Sequence, residues 1–180
     1  MNSQTVAFQI STRLTEILGE NYRSTEAALK ELVDNACDAD ATEVRIALPA
    51  PMSDEPLIVE DNGAGMKLAE VELEYLSVAR DRRVSKGEKT KKFRRKAKGR
   101  KGIGKFAGLM IADSMRLETQ ANGEQATLEL RRSAILEHDG DLENFPVKVV
   151  VEEATADSRG TKITLSDLHQ NLQFPNPDKL

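Results

Sequence analysis

Glu31 and Asn35 stand four residues apart in the segment Glu31-Leu-Val-Asp-Asn35-Ala-Cys-Asp38-Ala39, and Asp61-Asn-Gly63-Ala-Gly65-Met66 begins thirty residues after that glutamate. A helix turns once in about 3.6 residues, so Glu31 and Asn35 project from one face. There a carboxylate can orient and deprotonate a water that attacks the end of a polyphosphate, and a carboxamide can hold a magnesium ion bridging phosphate oxygens. Each residue also has a plainer reading. A lone helical glutamate is ordinarily solvated, and an asparagine among Leu32, Val33 and Ala36 can bury its amide in a cap or a helix-to-helix hydrogen bond.

Asp61 follows the apolar run Leu57-Ile-Val59 and precedes two glycines. This puts its carboxylate at the mouth of a sheet, where it can accept a hydrogen bond from the exocyclic amine of adenine. Gly63 and Gly65 leave room for a ring against the backbone, and Met66 offers a polarizable flank. The plainer alternative is that Asp61-Asn-Gly63 is only a turn.

The cluster Gly99-Arg-Lys101-Gly102-Ile103-Gly104-Lys105-Phe106 matches parts of three phosphate motifs. A P-loop needs Ser or Thr after its lysine, and Phe106 stands there. A dinucleotide fingerprint through Gly102, Gly104 and Ala107 needs a hydrophobic strand just upstream, and Lys96-Ala-Lys-Gly-Arg-Lys101 is none. What fits is a basic loop whose glycines lead into a helix, so that backbone N–H groups from Gly102 to Lys105 meet phosphate. The plain alternative for residues 85–98 is a disordered basic linker. Gly160-Thr161 opens a strand, and Thr161 can share a water with Asp61. His138 and His169 show no metal spacing.

The elements that must position these residues are legible in the apolar periodicity. Val6, Phe8, Ile10, Leu14, Ile17 and Leu18 predict a first helix over 6–18, and Ser24-Thr-Glu26 opens a second running to about Ala39. Strands are predicted over 42–48 and 57–59, then a helix over 67–78 with Leu68, Val71, Leu73 and Leu76 inward, and a buried helix over 106–112. Strands over 114–119, 126–132, 147–151 and 161–165 follow, separated by Asn122-Gly, Asp139-Gly and Arg159-Gly. This order predicts an α+β fold: a two-layer α/β sandwich with helices on one face of a mixed, mostly antiparallel sheet.

The 180 residues, 39% of them hydrophobic, suffice for one domain with a sizeable core. Charge is uneven. Residues 80–105 hold 14 of the 26 Lys+Arg and only Asp81 and Glu88 as acids, so a basic segment sits on an acidic body and should seek phosphates. The single cysteine, Cys37, reads as small apolar packing. Without a secretory leader pattern or an apolar run of about 18 residues, the expectation is a cytoplasmic protein, or a nuclear one in a eukaryote, with no membrane partner.

Taken together, these segments resemble the GHKL ATPase superfamily of DNA gyrase B, Hsp90 chaperones, sensor histidine kinases and MutL. Residues 31–39 resemble its N box, 61–66 its G1 box, 99–104 its G2 box, and Gly160-Thr161 its last motif, so the likeness covers about 24–165. It implies a Bergerat fold that binds ATP or ADP with Mg2+. In it Glu31 would be the base, Asn35 the magnesium ligand and Asp61 the reader of adenine, with Gly65 and Met66 lining the base. Asp38, Gly63, Lys101, Gly102, Ile103, Gly104, Lys105, Phe106 and Thr161 complete the expected nucleotide contacts. Residues 80–101 would form the ATP lid, unusually long and basic. Glutamate at the first N-box position favours hydrolysis over the phosphotransfer of histidine kinases. The N box is closest in style to MutL and the G2 box to Hsp90. The resemblance further implies the N-terminal module of a longer protein, self-associating by ATP-driven dimerisation and slow as an isolated domain, with a protein or nucleic-acid client. Two competing readings are a nucleic-acid-binding module built on residues 80–105 and a kinase-type domain.

Overall fold

The computed structural model describes residues 2–8, 24–76, 89–98, 104–138, 145–170 and 172–174. Seven strands form one sheet: β1 (Asn2–Phe8), β2 (Val44–Ala47), β3 (Leu57–Asp61), β4 (Ala112–Ala121), β5 (Glu124–Arg131), β6 (Phe145–Glu153) and β7 (Gly160–Leu168). Their order across the sheet is β1-β6-β5-β4-β7-β3-β2. Every pair is antiparallel, so among the described residues the sheet is not mixed as expected. The reason is local: tight connections such as Asn122-Gly123, both at positive φ (50° and 84°), join neighbouring strands directly.

One face of the sheet is apolar. Met115, Leu117, Leu128, Leu130, Val149, Ile163 and Leu165 alternate with outward polar residues and pack under the helices. Helix α1 (Thr25–Asp38) starts at Ser24, whose hydroxyl accepts from the Ala27 N–H at 3.2 Å, and buries Ala28, Leu29, Leu32 and Ala36. A 3-10 helix, Gly104–Met110, packs against α1 and buries Phe106 and Leu109. The expected helix over 106–112 therefore starts two residues earlier and is wound more tightly, and Ala112 already belongs to β4. A Cβ on Gly108 would stand 2.5 Å from Leu165 Cδ2 and 3.0 Å from Met115 Sδ, so a larger residue there would push those core side chains aside.

Two other expectations are corrected, and one further helix appears. The first predicted helix cannot begin at Val6, because residues 2–8 form an edge strand on β6; the rest of that prediction lies outside the described residues. The alternation Gln4-Thr-Val6-Ala-Phe8 carries the strand period that the wider window obscured. Over its described part, the helix expected over 67–78 is a short α2 (Leu68–Glu70) running into a π-turn, Val71–Tyr75; residues 77–78 lie outside the described residues. The wider turn moves the buried set to Val71, Tyr75 and Leu76, and leaves Leu73 64% exposed instead of inward. Finally, an unforeseen helix α3 (Arg132–Leu136) follows β5, and the Asp113 carboxylate fixes its first turn by accepting from the Ser133 N–H and hydroxyl, each at 2.9 Å.

Candidate functional site

Helix α1 presents Glu31, Asn35 and Ala39 at successive four-residue intervals, on one stripe about 12 Å long at the usual rise per residue. Glu31 and Asn35 are half-buried, between neighbours Leu32, Asp34 and Ala36 that are buried. At one end of the stripe the Glu31 carboxylate lies against Gly104, so closely that any Cβ there would collide with Oε2. The other end meets the turn after β3. The Ala39 carbonyl accepts from the Ala64 N–H at 2.8 Å, and a Cβ on Gly63 would stand 2.9 Å from the Ala39 Cβ. Among the described residues the Asn35 amide has no hydrogen-bond partner, so the cap or helix-to-helix bond open to it from sequence is not made.

Asp61 is the last residue of β3, set opposite Thr161 in the β3–β7 pair. Its Oδ1 accepts from the Gly63 N–H at 2.8 Å, and the backbone N–H of Thr161 on the neighbouring strand also favours the charged carboxylate. Burial lifts this carboxyl above the usual carboxylate range; the two N–H groups pull it back only in part, and Glu60 adds to the rise. A largely desolvated carboxylate with one side already satisfied has acceptor capacity left for a donor from outside.

Thr119 is the residue that sequence reasoning missed. It is fully buried on β4, where its Oγ1 accepts from the Met66 N–H at 2.9 Å and lies 3.2 Å from Thr161 Oγ1 and 3.3 Å from the Gly160 carbonyl. One hydroxyl hydrogen can serve only one of the last two. Thr119 thereby ties the Gly65-Met66 corner to the start of β7. Its inward position between Leu117 and Ala121 was the available signal, since a hydroxyl in an otherwise apolar strand face needs partners. Gly65 completes the corner at φ +63°, pressed against the Gln120 carbonyl where no side chain fits.

Other expected site residues are placed differently. Lys105 donates from Nζ to the Glu74 carbonyl at 2.7 Å and lies over the rings of Tyr75 and Phe106, and Phe106 is a core residue edge-on to Tyr75. Lys101, Gly102 and Ile103 lie outside the described residues, as do 80–88 and 99–100 of the expected lid. A hollow of about 260 Å³ opens beside the corner, lined by Ala64, Gly65, Glu70, Lys91, Ala121, Asn122, Ala156, Ser158 and Arg159. Glu31, Asn35 and Asp61 do not line it.

The described part of the basic segment, residues 89–98, is no formless linker. It turns back on itself through the bridge Lys89 to Lys96 and the Thr90 N–H to Arg95 carbonyl bond of 2.8 Å, and docks on the acidic end of α1. Asp40 accepts from the N–H groups of Lys92 (2.7 Å) and Phe93 (3.2 Å), Asp38 from that of Lys98 (2.9 Å), and Asp34 from the Lys98 ammonium (2.7 Å). Arg95 donates to the Ala41 carbonyl at 2.6 Å. Burial alone would raise Asp34 and Asp40. The hydrogen bonds and charges of Lys30 and Lys98 in one case, and of Thr90, Lys92, Phe93 and Arg95 in the other, hold both below the usual carboxylate range.

Comparison with known proteins gives the family. The family model described as histidine kinase-, DNA gyrase B-, and HSP90-like ATPase matches residues 22–161. Similar proteins include the putative type II restriction enzyme HgiDII of Herpetosiphon aurantiacus, 28% identical over 79% of this chain and 22% of that protein. The chaperone protein HtpG of Fusobacterium nucleatum is 27% identical over 92% of the chain and 29% of its own length, and HtpG of Vibrio vulnificus 26% over 99% and 30%. The chain spans less than a third of the length of these relatives. Among the described residues no helix is long and apolar enough to cross a membrane. The match from residue 22 to residue 161 takes in the Glu31–Asn35 stripe of α1, the Asp61 corner and the start of β7, and by it the chain belongs to the histidine kinase-, DNA gyrase B- and HSP90-like ATPases.

Proposed function

We propose that this chain binds ATP with Mg2+ along the α1 stripe and hydrolyses it slowly. The observation that carries the reading is the stripe itself, which runs about 12 Å along α1 from the Glu31 carboxylate to Ala39, where it meets the turn that follows the desolvated acceptor Asp61. That span suits adenine against Asp61 and the terminal phosphate near Glu31. The Gly63 N–H fixes one Asp61 oxygen, so the carboxylate meets the adenine amine without rotating. Gly65 and Met66, held by Thr119, set the wall of the base pocket.

The half-buried Asn35 amide, without a partner among the described residues, fits a ligand to a phosphate-bound magnesium ion. Such an ion would neutralise charge on the phosphate oxygens. Glu31 accepts the proton of the attacking water as the water oxygen bonds to phosphorus and the bridging P–O bond breaks toward ADP. Gly104, lacking a Cβ, lets the chain approach that carboxylate. In a longer protein, ATP-driven self-association and action on a client are further parts of the proposal. Phosphate release measured with and without Mg2+ tests the chemistry: slow, Mg2+-dependent release of ADP and phosphate is expected. A labelled phosphoprotein in place of free phosphate would favour the kinase-type reading instead.

A further inference from the structure

We infer that residues 89–98 form a preformed docking surface for single-stranded nucleic acid, separate from the nucleotide stripe. The segment divides its cations by direction. Arg95 and Lys98 face α1 and are consumed in anchoring, on the Ala41 carbonyl and Asp34. Lys89, Lys91, Arg94 and Lys96 are exposed, and among the described residues none of them has an acidic partner. Lys89 and Lys96 even face each other across the antiparallel bridge, where like charges repel. The fold keeps that repulsion although its body is acidic, so the surplus charge calls for an anion from outside.

The cations are not placed for the terminal phosphate of a nucleotide on α1. Asp34, Asp38 and Asp40 hold the hairpin on the later half of α1, and Lys91 lines the hollow beside Gly65, toward the Asp61 end of the stripe rather than the Glu31 end. Between the cations stands Phe93, 41% exposed, with Lys92 Nζ 5.0 Å and Arg95 Cζ 4.7 Å from its ring centre. An exposed ring flanked by cations is a platform on which a base stacks while neighbouring phosphates pair. The rest of the chain is strongly acidic, with 28 Asp+Glu against 12 Lys+Arg outside residues 80–105. A broad polyanion such as a membrane or a long duplex would meet that body and be repelled; a narrow strand can follow the hairpin alone.

The test titrates a fluorescein-labelled oligothymidylate with the whole chain from about 50 to 200 mM salt. Four phosphate contacts predict a log–log slope of about −2.8, or roughly 50-fold weaker binding across that range. Lys89→Glu with Lys91→Glu should flatten the slope by about 1.4. That double variant keeps the hairpin, because the first new carboxylate faces Lys96 across the bridge; unchanged proteolytic protection of residues 89–98 verifies this. Phe93→Ala should weaken binding about 10-fold. A slope unchanged in the double variant overturns the proposal. So does tighter binding to a duplex of equal length, to poly-glutamate or to phosphatidylserine vesicles.

Discussion

Replacing Asp61 with asparagine exchanges one carboxylate oxygen for an NH2 group and should remove nucleotide binding while leaving the fold intact. The Gly63 N–H, 2.8 Å from Oδ1, requires an acceptor, so the asparagine carbonyl must stay on that side. Its NH2 then takes the place of the second carboxylate oxygen and turns donors toward the donor amine of adenine. A charge-assisted bond worth about 1.5–3 kcal/mol is lost, and unpaired donors add to the cost. A total of roughly 3 kcal/mol or more means at least about 100-fold in Kd, read by calorimetric titration with ATP and ADP. Stability moves the other way. Burial holds the Asp61 carboxyl above its usual range, so the folded state disfavours the charged form at neutral pH, and a neutral amide removes that penalty. Tm should therefore hold to within about 4 °C or rise. Wild-type affinity in the variant would refute the adenine assignment; a collapse of Tm with loss of binding would show that Asp61 is structural.

Glu31→Ala should retain ATP binding and lose about 100-fold or more of the hydrolysis rate, measured as phosphate release; full activity would remove the base assignment. Thr119→Val strands the part-buried Met66 N–H at a cost of about 2 kcal/mol, lowering Tm by roughly 4–8 °C in a thermal melt. Acidification should act in two steps. Asp61, with its raised pKa, is stabilising in its protonated form, a contribution lost as pH rises through that pKa, so ATP binding weakens first as pH falls and the carboxylate is neutralised. Asp34 and Asp40, with lowered pKa values, contribute stability above the usual carboxylate value of 3.8 that is lost only as pH falls through their folded pKa values. Hydrogen exchange of residues 89–98 should thus persist in protection after ATP binding has gone, and simultaneous loss of both would contradict this ordering.

The α1 stripe and the Asp61 corner were legible because their signals are local: a four-residue spacing, a serine cap and an apolar run ending in Asp-Asn-Gly. The sandwich followed from alternation in β3 to β7 and from Asn122-Gly123, whose residues adopt the backbone a two-residue hairpin demands. What escaped depends on partners far away in sequence. β1 is a strand because β6 offers it an edge, and Leu73 turns outward because the π-turn rotates the helix beyond Val71. Thr119 matters through Met66, 53 residues earlier. The basic segment looked like a linker in composition, but Asp34, Asp38 and Asp40 give its backbone a surface to fold on.

The central claim is that Asp61 reads a purine through a donor while Glu31 lies at the other end of the same stripe. Parallel calorimetric titrations with ATP, ADP and GTP in Mg2+ test it most directly, because guanine carries a carbonyl where adenine carries its amine. ATP and ADP should bind and GTP should fail; equal affinity for GTP, or no binding of any of the three, would contradict the account.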